Sequence, residues 1–156
     1  MKKLGFLVML LLLTGCSSTS TSNAKFTENQ AVSFDIVKYA DSIAPIYESL
    51  VPYIAYANTE GQLKELQARF QMDGFTMDME KYLAVFLVTY SNDCGISVDG
   101  VYDVDRKLSV QLLESSGDAC GGNGQPHTFV LQVDKSDYDK VQLYNGNVIK
   151  SSVDIE

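Results

Sequence analysis

Apolar residues recur with the spacing of β-strands through most of the second half of the chain. Residues 82–90 are nearly all apolar, a pattern typical of a central strand that is covered on both faces. Further strand patterns, separated by polar or glycine-bearing turns, occupy residues 96–104, 108–113 and 128–133. Residues 141–144 and 148–149 flank Asn145-Gly146, a pair that accepts the positive φ angles of a type I′ hairpin turn. We expect these segments to form a mainly antiparallel sheet.

The first half of the chain predicts an early strand, a short β-prone run at residues 53–56 that stops at Asn58, and a single helix. Residues 31–39 alternate imperfectly between apolar and polar side chains, which indicates an early strand with one buried face. Thr59 and Gln62 have the spacing of a capping box, so we expect a helix to begin there and to end at Asp73-Gly74. One face of this helix is apolar, with Leu63, Leu66 and Phe70. The predicted fold is α+β: a twisted, mainly antiparallel sheet with one helix packed on a face.

The N-terminus has the organisation of an export signal. Lys2 and Lys3 precede an apolar run at residues 4–13, which is too short to span a bilayer because a spanning helix needs about 20 residues. Leu13-Thr14-Gly15-Cys16 resembles the lipobox of bacterial lipoproteins, in which the cysteine is acylated with fatty acids such as palmitate and becomes the new N-terminus. The resemblance implies a lipid anchor at Cys16. A plain secretory signal with an incidental cysteine is the other interpretation.

These signals divide the chain into three parts. Residues 1–15 are the expected signal peptide, 16–30 carry the lipidated cysteine and a flexible Ser/Thr-rich tether, and 31–156 form a single α+β binding domain. The net charge of the chain is −8, and it becomes −10 when the two lysines of the signal peptide are removed. An acidic domain without a cluster of Lys or Arg repels phosphate backbones, so we expect no nucleic-acid partner.

The two remaining cysteines, Cys94 and Cys120, are expected to form a disulfide, since this bond is the default for an even pair in an exported protein. A zinc site with His127 is the weaker alternative, because the CxxC and HxxxH spacings are missing. The expected disulfide also helps to decide between two interpretations of Asp99-Gly100, a hairpin turn or a bulge within one strand. With a bulge, four strands form a meander whose first and third loops, holding the two cysteines, lie at the same end. We therefore expect the bulge.

The sequence carries no catalytic signature. His127 is the single histidine, and Gly-x-Ser-x-Gly, Ser-x-x-Lys and HExxH motifs are missing, so we expect a structural or surface role for His127 and no enzyme. Acidic residues around 99–105 and 134–139 do not fit a calcium loop, and we expect neither a metal nor another cofactor. Polar residues at the cysteine-bearing end have no evident role in a core. We expect this end to bind a partner through Asn92, Gly95, Asn123 and His127.

Several segments stand in an order typical of one family. They are the helix start at Thr59-Glu60, residues 79–86, Cys94-Gly95-Ile96, residues 107–110 and residues 125–135. Their order, over about residues 31–143, resembles the PrcB-type domain of bacterial surface lipoproteins, named for the partner subunit of a surface protease complex. The resemblance implies a small binding or stabilising domain rather than an enzyme, with an exported protease as the expected partner.

Taken together, these features predict a lipid-anchored protein of the bacterial cell envelope that acts through protein–protein contacts. Ser17 follows the lipobox cysteine where an aspartate is linked with inner-membrane retention, so we expect the outer membrane if the source has two membranes. Two alternatives remain open. One is a protease inhibitor that inserts the loops of the Cys94 and Cys120 end, and the other is an enzyme without a recognisable motif.

Overall fold

The computed structural model describes residues 26–44, 51–122 and 124–156. The predicted signal peptide, Cys16 and Asn123 lie outside these residues. A short 3₁₀ helix at Glu28–Gln30 precedes one α-helix and eight strands. In chain order these are β1 (Phe34–Ala40), β2 (Tyr53–Ala57), α1 (Glu60–Phe70), β3 (Tyr82–Ser91), β4 (Ile96–Val104), β5 (Lys107–Glu114), β6 (Gln125–Asp134), β7 (Lys140–Asn145) and β8 (Val148–Asp154).

The eight strands form two four-stranded sheets. The first sheet has the order β1-β6-β3-β2 and is antiparallel throughout, whereas the second has the order β4-β5-β7-β8 and contains one parallel pair, β5 and β7. One apolar core lies between the sheets, and a second lies between the first sheet and α1. The α+β class with a single helix and mostly antiparallel strands is therefore confirmed for the described residues.

The prediction of one sheet, with a four-strand meander, is wrong. β3 pairs with β2 and β6, while β4 and β5 pair with each other in the second sheet. The physical reason lies in β3, where alternate side chains are buried on opposite faces. Val85 and Leu87 belong to the core between the sheets, whereas Phe86 and Val88 belong to the core under α1. The helix covers one face of β3, as expected, and the second sheet covers the other.

One of the two local turn predictions is confirmed in full and the other only in part. The β4–β5 register shifts between Val98 and Gly100, which is the expected bulge. A Cβ atom at Gly100 would lie only 2.5 Å from the Tyr102 hydroxyl oxygen, so the bare glycine lets the Tyr102 ring lie along the outer face of the second sheet.

The predicted terminal hairpin joins β7 to β8, but its turn differs from the expected type I′. Asn145 pairs with Val148, so the central residues are Gly146 and Asn147. Only Gly146 of these has a positive φ, 57°, whereas a type I′ turn needs positive φ at both central residues.

The helix begins where the sequence predicts, with a variation in its cap. Thr59 is the N-cap, and its hydroxyl accepts a hydrogen bond from the Gln62 backbone N–H at 3.3 Å. The Gln62 side chain accepts from the backbone N–H of Asn58 rather than from that of Thr59. The helix ends at Phe70, before the predicted Asp73-Gly74, because Gln71 adopts a left-handed conformation. Among the described residues, no helix is long and apolar enough to cross a membrane.

Part of the segment that the sequence assigns to the tether packs on the domain. Phe26 is buried and stacks on Tyr102, with ring centroids 4.6 Å apart, and it meets Tyr144 edge-on. Both tyrosines lie on the second sheet, on the face away from the core between the sheets. The prediction that residues 26–30 belong to a flexible tether is therefore wrong for Phe26, because its aromatic ring is buried against the second sheet.

Candidate functional site

Two loops that connect the sheets lie at the same end of the molecule. Residues 92–95 lead from β3 in the first sheet to β4 in the second, and residues 115–124 lead from β5 back to β6. A disulfide between Cys94 and Cys120 joins these loops, with the two Cα atoms 5.4 Å apart. The predicted disulfide is confirmed, and so is the placement of its two loops at one end. It joins two of the three connections between the sheets, not two loops of a single sheet.

Asn92 holds the two loops together through its hydrogen bonds. Its backbone N–H donates to the Glu114 carboxylate at 2.8 Å, and its side-chain amide donates to the backbone carbonyl of Ser115 at 3.0 Å. Its side-chain oxygen accepts from the backbone N–H of Cys94 at 2.9 Å. The side chain of Asn92, which the sequence predicts to bind a partner, is therefore engaged within the protein.

A cavity of about 540 Å³ opens at this end. Its walls come from three separate parts of the chain: the end of β1, the β3–β4 loop and the start of β6. The lining residues are Tyr39, Asp41, Asp93, Cys94, Gly95, Gln125, Pro126 and His127. Two of the four predicted partner-binding residues, Gly95 and His127, line this cavity, whereas Asn92 does not. We call it the loop-end pocket.

His127 forms the inner wall of the loop-end pocket and is only 6% exposed. Its Nε2 lies 2.8 Å from the Ser91 Oγ, and its Nδ1 lies 2.8 Å from the Tyr39 hydroxyl. The Tyr39 hydroxyl in turn donates to the Asp41 carboxylate, which lies 3.7 Å from Nδ1. The imidazole is thus held on both sides. Of the two predicted roles for His127, the structure places it inside the fold rather than on the surface.

Strand pairing, not sequence proximity, assembles this cluster. In the β3–β6 register Thr89 lies opposite His127, which brings Ser91 within reach of the imidazole. In the β1–β6 register Tyr39 lies opposite Phe129, two residues from His127 on the same face. Tyr39, Asp41 and Ser91 were not singled out from the sequence. No local motif marks them, because they lie 36 or more positions from His127.

The order Ser91, His127, Asp41 has the connectivity of a catalytic triad, but the serine is placed differently from a nucleophile. Ser91 is 3% exposed, does not line the loop-end pocket, and donates its hydroxyl hydrogen to the backbone carbonyl of Asn92 at 2.9 Å. The hydrogen bond between Ser91 and Nε2 orients the ring. Among the described residues, no group of three or more His, Cys, Asp or Glu could hold a metal ion.

Burial and the neighbouring carboxylate act on the two titratable rings of the pocket. Burial lowers the pKa of His127, and Asp41 offsets part of this effect. The hydrogen bond to Asp41, with a smaller contribution from burial, raises the pKa of Tyr39 to about 12. At neutral pH the imidazole is therefore neutral and the Tyr39 hydroxyl keeps its hydrogen.

The lowered pKa of His127 predicts a loss of stability on acidification. Between the usual pKa of 6.5 and the lower folded value, the unfolded chain binds more protons than the folded chain. The free energy of unfolding should therefore fall as the pH drops below about 6.5, and this fall should be smaller in His127→Gln. Urea denaturation of both proteins across this range measures the difference. Equal slopes, or a wild type that gains stability in acid, would contradict the assignment.

The chain was compared with protein-family models, with curated proteins and with solved structures, and none of them matches it.

Proposed function

We propose that this chain is a protein–protein interaction domain that binds its partner through the loop-end pocket. The observation that carries the proposal is the assembly of one concave site from three separated chain segments, with Cys94 of the disulfide in its wall. The site is a pocket and not a protruding loop. This shape favours a site that receives side chains of the partner over an inhibitor that inserts its own loops into a protease.

The disulfide supports this proposal by preorganising the pocket. Gly95 has a φ of 88° and Gly122 a φ of 108°, so both loops contain residues with unusual backbone freedom. The Cys94–Cys120 bond and the hydrogen bonds of Asn92 restrict that freedom before a partner arrives. A site that is already ordered loses less entropy on binding, which improves its affinity.

We further propose that the chain is a lipoprotein anchored through Cys16 in the bacterial cell envelope, in the outer membrane if the source has two membranes. The direction of β1 supports a pocket that faces away from the anchor. Phe34 begins the strand and Asp41 follows its other end, so the strand carries the chain roughly 20 Å toward the loop-end pocket. The resemblance to PrcB-type domains favours an exported protease as the partner.

Site-specific photocrosslinking in intact cells tests both proposals. A photoreactive amino acid at Asp118, in the exposed part of the β5–β6 loop, should give a covalent adduct with a partner protein. The same amino acid at Lys107, at the opposite end of β5, should give none. The adduct should fractionate with membranes, and Cys16→Ala should release the domain into the soluble fraction.

The two parts of this experiment can fail separately. Equal crosslinking from positions 107 and 118, or from 107 alone, would refute binding at the disulfide end. Retention of Cys16→Ala in detergent-extractable membranes with an unchanged profile would refute the lipid anchor and leave the binding site unaffected.

A further inference from the structure

The loop-end pocket has an acidic rim without a balancing cation. Asp41 and Asp93 both line it, and none of its described lining residues is Lys or Arg. The Asp41 side chain is 78% exposed, so a ligand can reach its carboxylate. The chain as a whole carries a net charge of −8. Its field therefore favours the approach of a positively charged group.

The Asp41 carboxylate keeps acceptor capacity for a ligand. The Tyr39 hydroxyl donates to its Oδ1, the same oxygen that lies 3.7 Å from His127 Nδ1. A carboxylate offers about four lone-pair sites on its two oxygens. The carboxylate can therefore accept from an incoming N–H group while it keeps its contact with Tyr39.

Asp93 is held at the pocket by the opposite loop. A Cβ atom at Gly122 would lie 2.2 Å from the nearer carboxylate oxygen of Asp93, which means that the carboxylate rests on the bare Cα of this glycine. The backbone N–H of Asp93 also donates to the Gly121 carbonyl at 3.3 Å. Both contacts lie between the loops that the disulfide joins. They fix a second negative charge in the wall of the pocket.

We propose that the loop-end pocket binds a basic side chain, a lysine ammonium or an arginine guanidinium, of the partner protein. This inference rests on the proposed function. The incoming N–H groups form charge-assisted hydrogen bonds with the carboxylates of Asp41 and Asp93. The Tyr39 ring, with 45% of the residue exposed, and Pro126 offer apolar surface for the methylene stem.

Titration of the full-length chain, purified in detergent, with short blocked peptides tests the inference. A peptide with a central lysine or arginine should shift the imidazole resonances of His127, which are unambiguous because the chain has one histidine. The same peptide with acetyl-lysine should not shift them, since acetylation removes the charge. A free polyamine, added in a separate titration, distinguishes a small-molecule amine from a protein side chain.

Charge-matched variants sharpen the test. Asp41→Asn and Asp93→Asn should each weaken binding of the lysine peptide by about tenfold or more, the loss expected for one charge-assisted hydrogen bond. Asp35→Asn removes the same charge from the exposed, opposite end of β1 and should leave the affinity unchanged.

Three results would overturn the inference or part of it. Equal binding of the lysine and acetyl-lysine peptides would overturn it, and so would the absence of a His127 shift with any basic peptide at millimolar concentration. A polyamine that binds more tightly than both basic peptides would equally overturn the choice of a protein side chain. If crosslinking at position 118 still captures a partner in these cases, only the ligand class is wrong. Loss of capture as well would refute the proposed function.

Discussion

Replacing Phe86 with alanine should lower the free energy of unfolding by about 3–5 kcal/mol, the loss typical of a large aromatic residue in a core. Phe86 is fully buried in β3, on the face that packs under α1. Its ring lies 5.1 Å from that of Phe70, at the end of the helix, and 6.3 Å from that of Phe75. The substitution therefore opens a cavity where the helix meets the first sheet.

Denaturant unfolding of Phe86→Ala beside Leu113→Ala measures this effect. Leu113 is 56% exposed on β5, so its truncation should change the free energy of unfolding by no more than about 0.5 kcal/mol. A loss below about 1 kcal/mol for Phe86→Ala would mean that the helix does not depend on this contact. The description of the fold as three packed layers, with α1 on the first sheet and the second sheet on its other face, would then be incorrect.

Removing the disulfide should have the second large effect. The bond closes a loop across 26 positions, and the chain-entropy relation gives a stabilisation of about 3.5 kcal/mol, within a usual range of about 2–5 kcal/mol. Replacing both cysteines with serine should lower the free energy of unfolding by this amount. It should also weaken partner capture at position 118, because the loops of the pocket lose their restraint.

Reduction of the wild type is the matched control for the double variant. A reductant should destabilise the wild type to a similar extent and should leave Cys94→Ser/Cys120→Ser unchanged. Peptide mapping without reductant should recover the linked pair from the wild type. Two freely alkylated thiols in the untreated protein would contradict the assignment, as would a double variant with unchanged stability and unchanged capture.

Local features of the fold were readable from the sequence because neighbouring residues determine them. The Thr59 cap, the presence of a hairpin turn at Gly146 and the apolar face of α1 each depend on side chains a few positions apart. The continuous apolar run of β3 also indicated correctly that both faces of this strand are buried.

Strand partners were not readable in the same way. Periodicity tells which face of a strand is buried, but it does not tell which strand lies beside it. β3 and β6 pair across the intervening β4–β5 hairpin, and β5 pairs in parallel with β7 across β6. A meander of sequential neighbours was the simplest arrangement, and it did not include the three connections between the two sheets.

The candidate site was only partly predictable for the same reason. The cysteines identified the correct end of the molecule, and Gly95 and His127 do line its pocket. Tyr39, Asp41 and Ser91 reach His127 only through the pairing of β1 and β3 with β6. Asn92 was singled out for its polarity, yet its hydrogen bonds hold the loops together. Partner binding by Asn92, Gly95, Asn123 and His127 stays a prediction.

The most direct measurement of the central claim is an NMR titration of the full-length chain with the partner captured by crosslinking. The single imidazole of His127 reports on the inner wall of the loop-end pocket, and the backbone amide of Lys107 reports on the opposite end of β5. We expect the His127 resonances to shift in proportion to the bound fraction while the Lys107 amide stays unchanged. Binding that leaves His127 unchanged and shifts amides along an exposed edge strand would contradict the account and favour β-strand addition.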